Sequence, residues 1–550
     1  MQIVSVSRYW HTLRFLRPVQ IYGRLWHRLY KPSISLANLP TIRDQVGGWS
    51  SPALRQASLV DQGSWIFLNE PGDLAEIGWD GPQCEKLWRY NQHYFDDLNA
   101  RDAHTRNSWQ RELIADWVEK NPPGKGVGWE PYPTSLRIVN WIKWVLAGNV
   151  LEEAWVHDLS LQVRWLSKRL EFHLLGNHLL ANAKALIFAG LFFCGPEAER
   201  WLQKGRKILA REVPEQVLAD GGHFERSPLY HLIVLEDLLD LVNLYRAYGQ
   251  TEPVELREAI QRMLYWSAVM RHPDDEIPFF NDSAFGIAPS PNEIQEYAAR
   301  LGFSGLPSID RKYQHLDSSG YIRLQAGAAL VLADMAPVGP DYLPGHAHAD
   351  TLSFELSIGY RRVIVNGGTS VYGSGAERHR QRSTAAHSTV VVDGENSSEV
   401  WGGFRVARRA RVLDARCGED NLGIWAEGAH DGYARLHGAP VHHRRWVIDP
   451  GTLRIIDRVE GAGTHEAEIF FPFAPGWRPT FDGAKRVLII DHENDRLQMV
   501  VEAGADANVF LEPTTWHPEF GVSVPVWRIR IALTGCLPLM HETVFQWCEK

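Results

Sequence analysis

The spacing of hydrophobic residues changes near Ser318, and this change constrains the fold more than any other feature of the sequence. Before that point hydrophobic residues recur at helical spacing, as in RELIADWVEK, SLRIVNWIKWVLAG and LIVLEDLLDLVNLYRAYG. After it, short alternating segments such as GYIRLQ, LSFELSIG and TLRIIDRVEG predict strands. Because no helical segments lie between these strands, they predict an antiparallel sandwich rather than βαβ units. We expect the boundary between Gly305 and Asp317.

The helical half is predicted to form successive hairpins joined by loops rich in glycine and proline. Two of these loops are NPPGKGVGWEPYPT (Asn121 to Thr134) and GGHFERSP (Gly221 to Pro228). Loops of this kind are typical of a ring of paired helices, where they line the substrate side. A chain of 550 residues is too long for one ordinary core, so at least two large domains are expected.

The overall charge excludes one class of partner. The formal net charge is −9, whereas nonspecific binding to nucleic acid requires a broad basic surface. An acidic substrate would therefore need a locally basic groove. Arginines do cluster locally, at 361–362, 378–382, 405–411 and 444–445, although each cluster alone is also typical of solvated loops and strands.

The N-terminal segment is rich in aromatic residues but interrupted by charges. Arg8, Arg14, Arg17 and Arg24 deny it the continuous apolar stretch of a secretory signal, which favours a cytoplasmic protein. We expect a helical arm here whose tryptophans pack in the core. The longest apolar run, 185–194, is too short to cross a bilayer, so no membrane insertion is expected. The five scattered cysteines suggest neither disulfides nor a cysteine metal site.

The densest group of polar residues is the segment GHAHADTLSFEL, which begins at Gly345. His346, His348 and Asp350 alternate just before a predicted strand and should project to one face. His387 stands at the entrance to another strand, within cross-strand reach if the two strands pair. Two histidines on neighbouring strands can bind a metal ion, although His387 alone is as compatible with a hydrogen-bonded core histidine.

Two segments of the helical half carry unexpected polar groups. LLGNHLLANAKAL places Asn177, His178 and Asn182 in an apolar helix, where unpaired polar groups are costly to bury, so they must face a partner or a cleft. GGHFERSPLYHL then places Glu225, Arg226 and Tyr230 at the start of the next helix. Taken alone, Tyr230 is typical of an amphipathic packing residue.

In their order and spacing these segments resemble the heparinase II/III family of polysaccharide lyases. The resemblance also includes LWRYNQHYFDDL (Leu87 to Leu98), GWEPYPTSLRIVNW (Gly128 to Trp141) and VNGGTSVYGSGAERHRQRSTAAHSTVVVDG (Val365 to Gly394). It implies an (α/α) incomplete toroid followed by an antiparallel β-sandwich. We accordingly divide the chain into an N-terminal arm and packing extension (1–90), a toroid (91–312) and a sandwich (313–550).

The resemblance also implies roles for individual residues. Asn177 corresponds to the position that neutralises the substrate carboxylate, Tyr230 to the catalytic tyrosine and His346 to the catalytic histidine. The substrate would be an acidic, uronate-containing polysaccharide cleaved by β-elimination. Such a reaction requires a base for the C5 proton, an acid for the departing oxygen and stabilisation of the enolate-like intermediate. Further residues expected at the substrate are His178, Glu225, Arg226, Tyr372 and Arg382.

The resemblance implies a metal site beside His346. His348 and His387 match the ligand histidines, but Asn366 stands where the family usually has an aspartate. An amide oxygen is a weaker ligand than a carboxylate. We therefore expect at most one structural divalent ion, with zinc favoured because imidazole is its usual ligand, and no organic cofactor. Members of the family often act in the periplasm, so the localisation stays open.

Three other functions remain open from the sequence. A toroid hydrolase would need two carboxylates, for which Glu225 and Asp282 are candidates. A metal-dependent hydrolase could use the histidine cluster and Asp350, but it leaves Asn177 and Tyr230 unexplained. The third is a noncatalytic glycan-binding protein of a bacterial polysaccharide biosynthesis system, which would fit both Asn366 and the lack of a secretory signal.

Overall fold

The chain forms a helical domain followed by an antiparallel β-rich domain, as the change in periodicity predicts. A computed structural model describes residues 6–34, 39–305, 308–482, 487–492, 497–504 and 507–549. The last helix of the first domain ends at Arg300, and the first strand of the second begins at Tyr313. No helix among the described residues is both long and apolar enough to cross a membrane.

The helical domain is an incomplete toroid of paired helices. Proline at the first position and serine caps begin several of them, as at Ser227 and Ser290. Gly190 lets two of the helices approach closely, because a Cβ there would lie 2.6 Å from Leu202. The helices are Lys86–Tyr94, Asn107–Lys120, Pro131–Leu146, Glu153–Lys168, Gly176–Phe192, Pro196–Gln216, Pro228–Ala247, Val254–Val269 and Pro291–Arg300.

The second domain packs antiparallel sheets around one apolar core. Strand Thr452–Glu460 alternates buried and more exposed residues, and its buried Ile455 pairs in register with the buried Trp446. A five-stranded sheet contains Tyr313–Leu316, Tyr321–Ala326, Ala329–Asp334, Phe354–Ile358 and Arg361–Ile364. A four-stranded sheet contains Asn508–Trp516, Val524–Cys536, Thr464–Pro472 and Val390–Val392. An eight-stranded sheet contains Val412–Asp420, Gly423–His430, Val441–Asp449, Thr452–Glu460, Leu539–Glu549, Leu497–Ala503, Val487–His492 and Trp477–Asp482.

The N-terminal segment differs from the sequence expectation in two ways. Its helices, Val6–Leu13 and Pro18–Leu29, lie on the outside, and the side chains of Trp10 and Trp26 are 64% and 62% exposed. The expectation that its tryptophans pack in the core is therefore wrong for these two. The segment before the toroid also contains a small three-stranded sheet over residues 59–73 that the sequence analysis did not predict.

Candidate active site

Tyr230 is held in the first turn of helix Pro228–Ala247. The Ser227 hydroxyl caps this helix by accepting a hydrogen bond from the Tyr230 backbone N–H at 3.2 Å. The same hydroxyl donates to the Asp282 carbonyl at 2.6 Å and so ties the turn to a neighbouring loop. The position of Tyr230 is therefore fixed from both sides, while the ring itself is 9% exposed.

Tyr230 lies directly against His346 and Tyr372 of the second domain. The rings of Tyr230 and His346 stack with centroids 3.7 Å apart, and the two tyrosine hydroxyl oxygens are 2.9 Å apart. Burial, assisted by Tyr372, raises the pKa of Tyr230 well above its usual value. The hydroxyl of Tyr230 is therefore protonated at neutral pH and can act as a proton donor.

His346 is oriented by a buried carboxylate. Its Nδ1 forms a hydrogen bond with Glu225. Burial alone would raise the pKa of Glu225, but the neighbouring imidazole of His346 outweighs this and lowers that pKa. Because an ionised carboxylate only accepts hydrogen bonds, Nδ1 carries the proton in this pair. In neutral His346 the other ring nitrogen, Nε2, is then left to accept a proton.

Asn177 and His178 begin the helix Gly176–Phe192, beside this pair. A Cβ at Gly176 would lie 3.2 Å from Oε1 of Glu225, so the carboxylate packs against the helix start. Asn177 is 7% exposed. Nδ1 of His178 lies 3.2 Å from Glu171, and although burial opposes the shift, this carboxylate raises the pKa of His178. A histidine that favours its charged form therefore lies close enough to influence Glu225, and Asn177 precedes it in the same first turn.

A cleft of about 500 Å³ opens from Tyr230 and Tyr372 and is lined by both domains. Tyr94 and Tyr132 line it from the toroid, and Phe520 lines it from the sandwich. The cleft is large enough for sugar residues, and its aromatic walls suit the apolar faces of sugar rings. It is the cavity through which a glycan could reach Tyr230.

The lysines and arginine that line this cleft are already paired with carboxylates. Lys184 bonds Asp237 at 2.7 Å and Asp240 at 2.6 Å. Lys143 bonds Asp240 at 3.0 Å, and Arg55 pairs with Glu236. Asp96 and Glu519 also line the cleft. The lining thus contains five carboxylates and three cations, the cations being Arg55, Lys143 and Lys184.

Asp282 joins the two domains beneath Tyr230. Its carboxylate forms a two-pronged ion pair with Arg378, with one distance of 2.7 Å, and accepts a hydrogen bond from Nε2 of His348 at 2.8 Å. All three side chains are buried, and although burial opposes it, Arg378 lowers the pKa of Asp282 far below its usual value. Asp282 is therefore a permanently ionised structural carboxylate, which leaves it poorly suited to a hydrolase's general acid.

His348 and His387 have their outer nitrogens fixed by acceptors. His348 directs Nε2 at Asp282, and His387 directs Nδ1 at the Ser383 carbonyl at 2.8 Å. Both acceptors require an N–H, so in the neutral rings the two remaining nitrogens, 3.1 Å apart, face each other as lone pairs. Burial lowers the pKa of both histidines, to about 4 for His348, which favours the neutral rings.

The two facing imidazole nitrogens fit a metal cation. Asn366, the third expected ligand, makes no observed contact that directs its side chain toward them. Oδ1 of Asn366 accepts from the Ser388 N–H at 3.2 Å, and its buried Nδ2 has no hydrogen-bond partner among the residues that the structure describes. Exchanging the amide oxygen and nitrogen of Asn366 would free the oxygen but would set its NH2 group against the Ser388 N–H, which is also a donor. Within the described ranges no cluster of three or more histidines, cysteines or carboxylates could hold a metal.

Arg226 and Arg382 direct their guanidinium groups into the protein. Arg382 is fully buried and donates to the carbonyls of Ala347, Gly402, Gly403 and Arg405. Arg226 donates to the carbonyls of Ser319 and Phe224. These contacts tie loops together, and within the described residues neither arginine contacts Tyr230 or His346, whose observed partners include Tyr372 and Glu225 respectively.

The paired charges of the cleft and the role of Arg378 were not predicted from the sequence. A signal for the first was present, because Lys184, Glu236, Asp237 and Asp240 interrupt strongly apolar helices. Buried charges inside such helices require partners. Arg378 carried no comparable signal, since it lies in a run of arginines whose other members have different environments.

Two family profiles together span most of the chain. The profile described as "Heparinase II/III N-terminus" matches residues 85–300, and "Heparinase II/III-like, C-terminal" matches residues 309–536. A heparin-sulfate lyase of Pedobacter heparinus is 26% identical over 78% of this chain and 68% of its own length. A protein of Caulobacter vibrioides named FtsZ-localized protein C is 30% identical over 70% of this chain and 67% of its own length.

Solved structures show the same two-domain fold. The crystal structure of a heparinase III superposes with a TM-score of 0.71 at 18% identity, covering 96% of this chain and 89% of that one. A heparan sulfate lyase from Pedobacter heparinus superposes with a TM-score of 0.61 at 20% identity, covering 97% and 88%. Fold and similarity define the class of the protein as a polysaccharide lyase, that is, a carbon–oxygen lyase. Within that class, the chain belongs to the heparinase II/III family.

Proposed function

We propose that this enzyme cleaves a uronate-containing glycan by β-elimination at the site formed by Asn177, Tyr230 and His346. The observation that carries the proposal is the stacking of Tyr230 on His346, with centroids 3.7 Å apart, at the end of a cleft lined by both domains. A proton donor and a proton acceptor at such a distance can act on one sugar residue. The domain interface thus assembles a pair that neither domain contains alone.

In the proposed reaction His346 accepts the C5 proton through Nε2. Glu225 holds the imidazole and balances the positive charge that it gains. The electron pair of the C–H bond moves onto the adjacent carboxylate and then forms the C4–C5 double bond as the C4–O bond breaks. Tyr230 donates its proton to the departing oxygen. Asn177, beside the charged His178, hydrogen-bonds the substrate carboxylate and stabilises the intermediate.

The substrate that best fits the cleft is a uronate glycan with few or no sulfate groups. Heparin-sulfate lyase is the name of several relatives, which supports a glycosaminoglycan-like backbone. A densely sulfated chain would need unpaired cations to replace its counterions. In the described part of the cleft, however, Arg55, Lys143 and Lys184 are neutralised by carboxylates. Sulfates would face Glu519 and Asp96 instead.

The assay for elimination is the absorbance of the unsaturated uronate that only a lyase forms. Purified protein would be incubated with unsulfated and sulfated uronate glycans while ultraviolet absorbance and new reducing ends are measured in parallel. We expect both signals to rise together on an unsulfated glycan. Reducing ends without absorbance would identify a hydrolase. Binding without either signal would favour a noncatalytic glycan-binding role. The similarity to FtsZ-localized protein C, whose name does not refer to a lyase, suggests this alternative.

We also propose that His348 and His387 hold one structural divalent ion, preferably zinc, with Asn366 as a weak third ligand. The facing lone pairs of the two imidazoles support this, because a cation between them would remove their repulsion. When bound, the ion would fix the loops on either side of His346. No step of the elimination requires it.

Elemental analysis of protein purified without chelator tests the metal site. We expect zinc to bind and to raise the thermal midpoint, and Asn366→Asp to bind it more tightly because a carboxylate is the stronger ligand. His387→Gln is the matched control and should lose the zinc-dependent rise. Absence of stoichiometric metal from both the wild type and Asn366→Asp, with zinc supplied, would exclude the site.

A further inference from the structure

The two N-terminal helices present an apolar surface to the solvent. We call this surface the arm face. In the first helix it comprises Val6, Tyr9, Trp10 and Leu13, and in the second Ile21, Tyr22, Leu25, Trp26 and Leu29. Exposures range from 43% for Tyr9 to 86% for Val6. The residues recur at intervals of three and four, so each helix has one exposed apolar stripe. The edge of this stripe reaches the body at Tyr9, whose ring contacts Trp401, and at Tyr22 and Trp26, which border the groove beside the toroid.

The opposite sides of these helices are fixed to both domains. Gln20 is buried and donates to the Tyr342 carbonyl at 3.0 Å. Trp401 of the sandwich donates to the Thr12 hydroxyl at 3.0 Å, and Arg169 of the toroid contacts His27 at 2.7 Å. The orientation of the arm face is therefore set by contacts with the body, and its exposure is not the result of a detached segment.

The charge of the arm has one sign only. Between Val6 and Ile34 the sequence contains six lysines and arginines and no aspartate or glutamate, in a chain whose net charge is −9. Arg24, Arg28 and Lys31 are exposed and form no ion pair within the described residues. The groove of about 610 Å³ between the second helix and the toroid is also positive on balance, because Lys168, Arg169, Lys204 and Arg211 line it with two carboxylates, Glu212 and Glu215.

We propose that the arm face is an interfacial membrane-binding site that docks the enzyme on a bilayer containing anionic lipids. Amphipathic helices with tryptophan and leucine on one side and arginine or lysine beside them insert their apolar side at the level of the lipid head groups. The cations then contact lipid phosphates. A second copy of the chain is a poorer occupant, because pairing two arm faces would bring Arg24, Arg28 and Lys31 of one copy near the same cations of the other.

Vesicle sedimentation of the full chain tests the proposal. We expect binding to vesicles of phosphatidylcholine mixed with phosphatidylglycerol, weak or no binding to pure phosphatidylcholine, and release at high salt. The variant Leu25→Glu/Trp26→Glu should abolish binding while keeping the thermal midpoint, because both side chains are exposed. Tyr360→Glu is the matched control, since Tyr360 is an 82% exposed aromatic residue of the sandwich, and should bind like the wild type.

A charge variant separates the two parts of the site. Arg24→Gln/Arg28→Gln/Lys31→Gln keeps the apolar stripe and should lower partitioning onto anionic vesicles by roughly a hundredfold, since each cation near the surface contributes about fivefold. No binding of the wild type to anionic vesicles would overturn the proposal, as would equal binding by Leu25→Glu/Trp26→Glu. So would a lipid-free dimer that this variant converts to a monomer, which would identify the arm face as a contact between copies.

Discussion

At the scale of single residues, the proposed chemistry depends on where two protons reside, one on the Tyr230 hydroxyl and one on Nδ1 of His346. Tyr230 keeps its proton because its ring is buried, and His346 is oriented because the Glu225 carboxylate can only accept. Neither group depends on a large network, since the Tyr230 hydroxyl bonds Tyr372 and one nitrogen of His346 bonds Glu225. Single conservative substitutions can therefore separate chemistry from folding.

Removing the Tyr230 hydroxyl should stop turnover without unfolding the protein. Tyr230→Phe keeps the ring stacked on His346 and deletes only the proton donor, so we expect kcat to fall by about 10²–10⁴ with glycan binding nearly unchanged. The absorbance assay measures the first and calorimetry the second. Tyr372→Phe is the matched control, because it removes the other hydroxyl of the 2.9 Å pair and should cost less. Tyr230→Phe retaining most of the wild-type rate would contradict the mechanism.

The pair formed by His178 and Glu171 should leave a signature in the pH dependence of stability. The raised pKa of His178 stabilises the fold fully below pH 6.5, its usual pKa, and this contribution is lost as pH rises through the folded value. The lowered pKa of Glu171 contributes fully above pH 4.5 and is lost as pH falls through its folded value.

We therefore expect His178→Gln to lower the thermal midpoint most between pH 4.5 and 6.5, with a smaller difference on both sides. Melting curves of both proteins across pH measure this. His173→Gln is an opposite-sign control: burial lowers the pKa of His173 to about 4, so this variant should gain relative stability as pH falls. A pH-independent difference for His178→Gln would show that packing, not charge, is what the substitution removes.

At the scale of elements, the site is built from loops that join the two domains. The segment GHAHAD runs beside Asn281 and Asp282: the His348 N–H donates to Asn281 at 2.9 Å, and Asp350 accepts from the Asn281 N–H at 2.9 Å. Asn281 has a positive φ of 55°, which places its amide and side chain to make both bonds. Arg378, on the short helix Ala376–Gln381, closes this arrangement from the other side.

The buried pair of Asp282 and Arg378 should be worth far more than the surface pairs nearby. Asp282→Asn leaves the Arg378 charge buried without its partner, for which we expect a loss of about 3–5 kcal/mol in the free energy of unfolding. Denaturant melts measure it. The control is Arg458→Gln in the same domain, whose pair with Glu460 is 52% and 39% exposed and should cost at most about 1 kcal/mol. Equal effects of the two substitutions would refute this ranking.

The sequence predicted the helices and strands better than it predicted which of their faces are packed against other residues. Hydrophobic period located the toroid helices and the sandwich strands, and the GGHFERSP segment indicated the start of the helix that carries Tyr230. The spacing of hydrophobic residues does not show which neighbour packs on a helix face. The arm helices were therefore predicted, but the exposure of their apolar stripe was not. For the same reason, alternation predicted that His346 and His348 share one face, whereas in the loop they reach Tyr230 and Asp282 respectively.

At the scale of the whole molecule, charge is distributed unevenly in a way that assigns different partners to different surfaces. The arm is wholly basic, whereas the cleft has more carboxylates than lysines and arginines. An anionic bilayer would thus be attracted to one surface, while a densely charged polyanion would be repelled from the other. Net charge alone, at −9, conceals this separation.

The balance of charges in the cleft should control the tolerance of the enzyme for sulfate. Glu236→Gln releases Arg55, which then retains the Ile287 carbonyl as an acceptor, and makes the cleft one charge more positive. We expect KM for a sulfated glycan to fall severalfold while KM for its unsulfated counterpart stays nearly constant, because only the sulfated chain gains a cation. The matched control, Glu255→Gln, removes a carboxylate from helix Val254–Val269, outside the cleft lining, and should change neither value. Measuring both substrates on each variant distinguishes a selective effect from damage to the fold, which would raise both KM values or lower both rates.

If Glu236→Gln left the ratio of the two KM values unchanged while the protein kept its thermal midpoint, the paired carboxylates would not be what determines the preference for unsulfated over sulfated glycans.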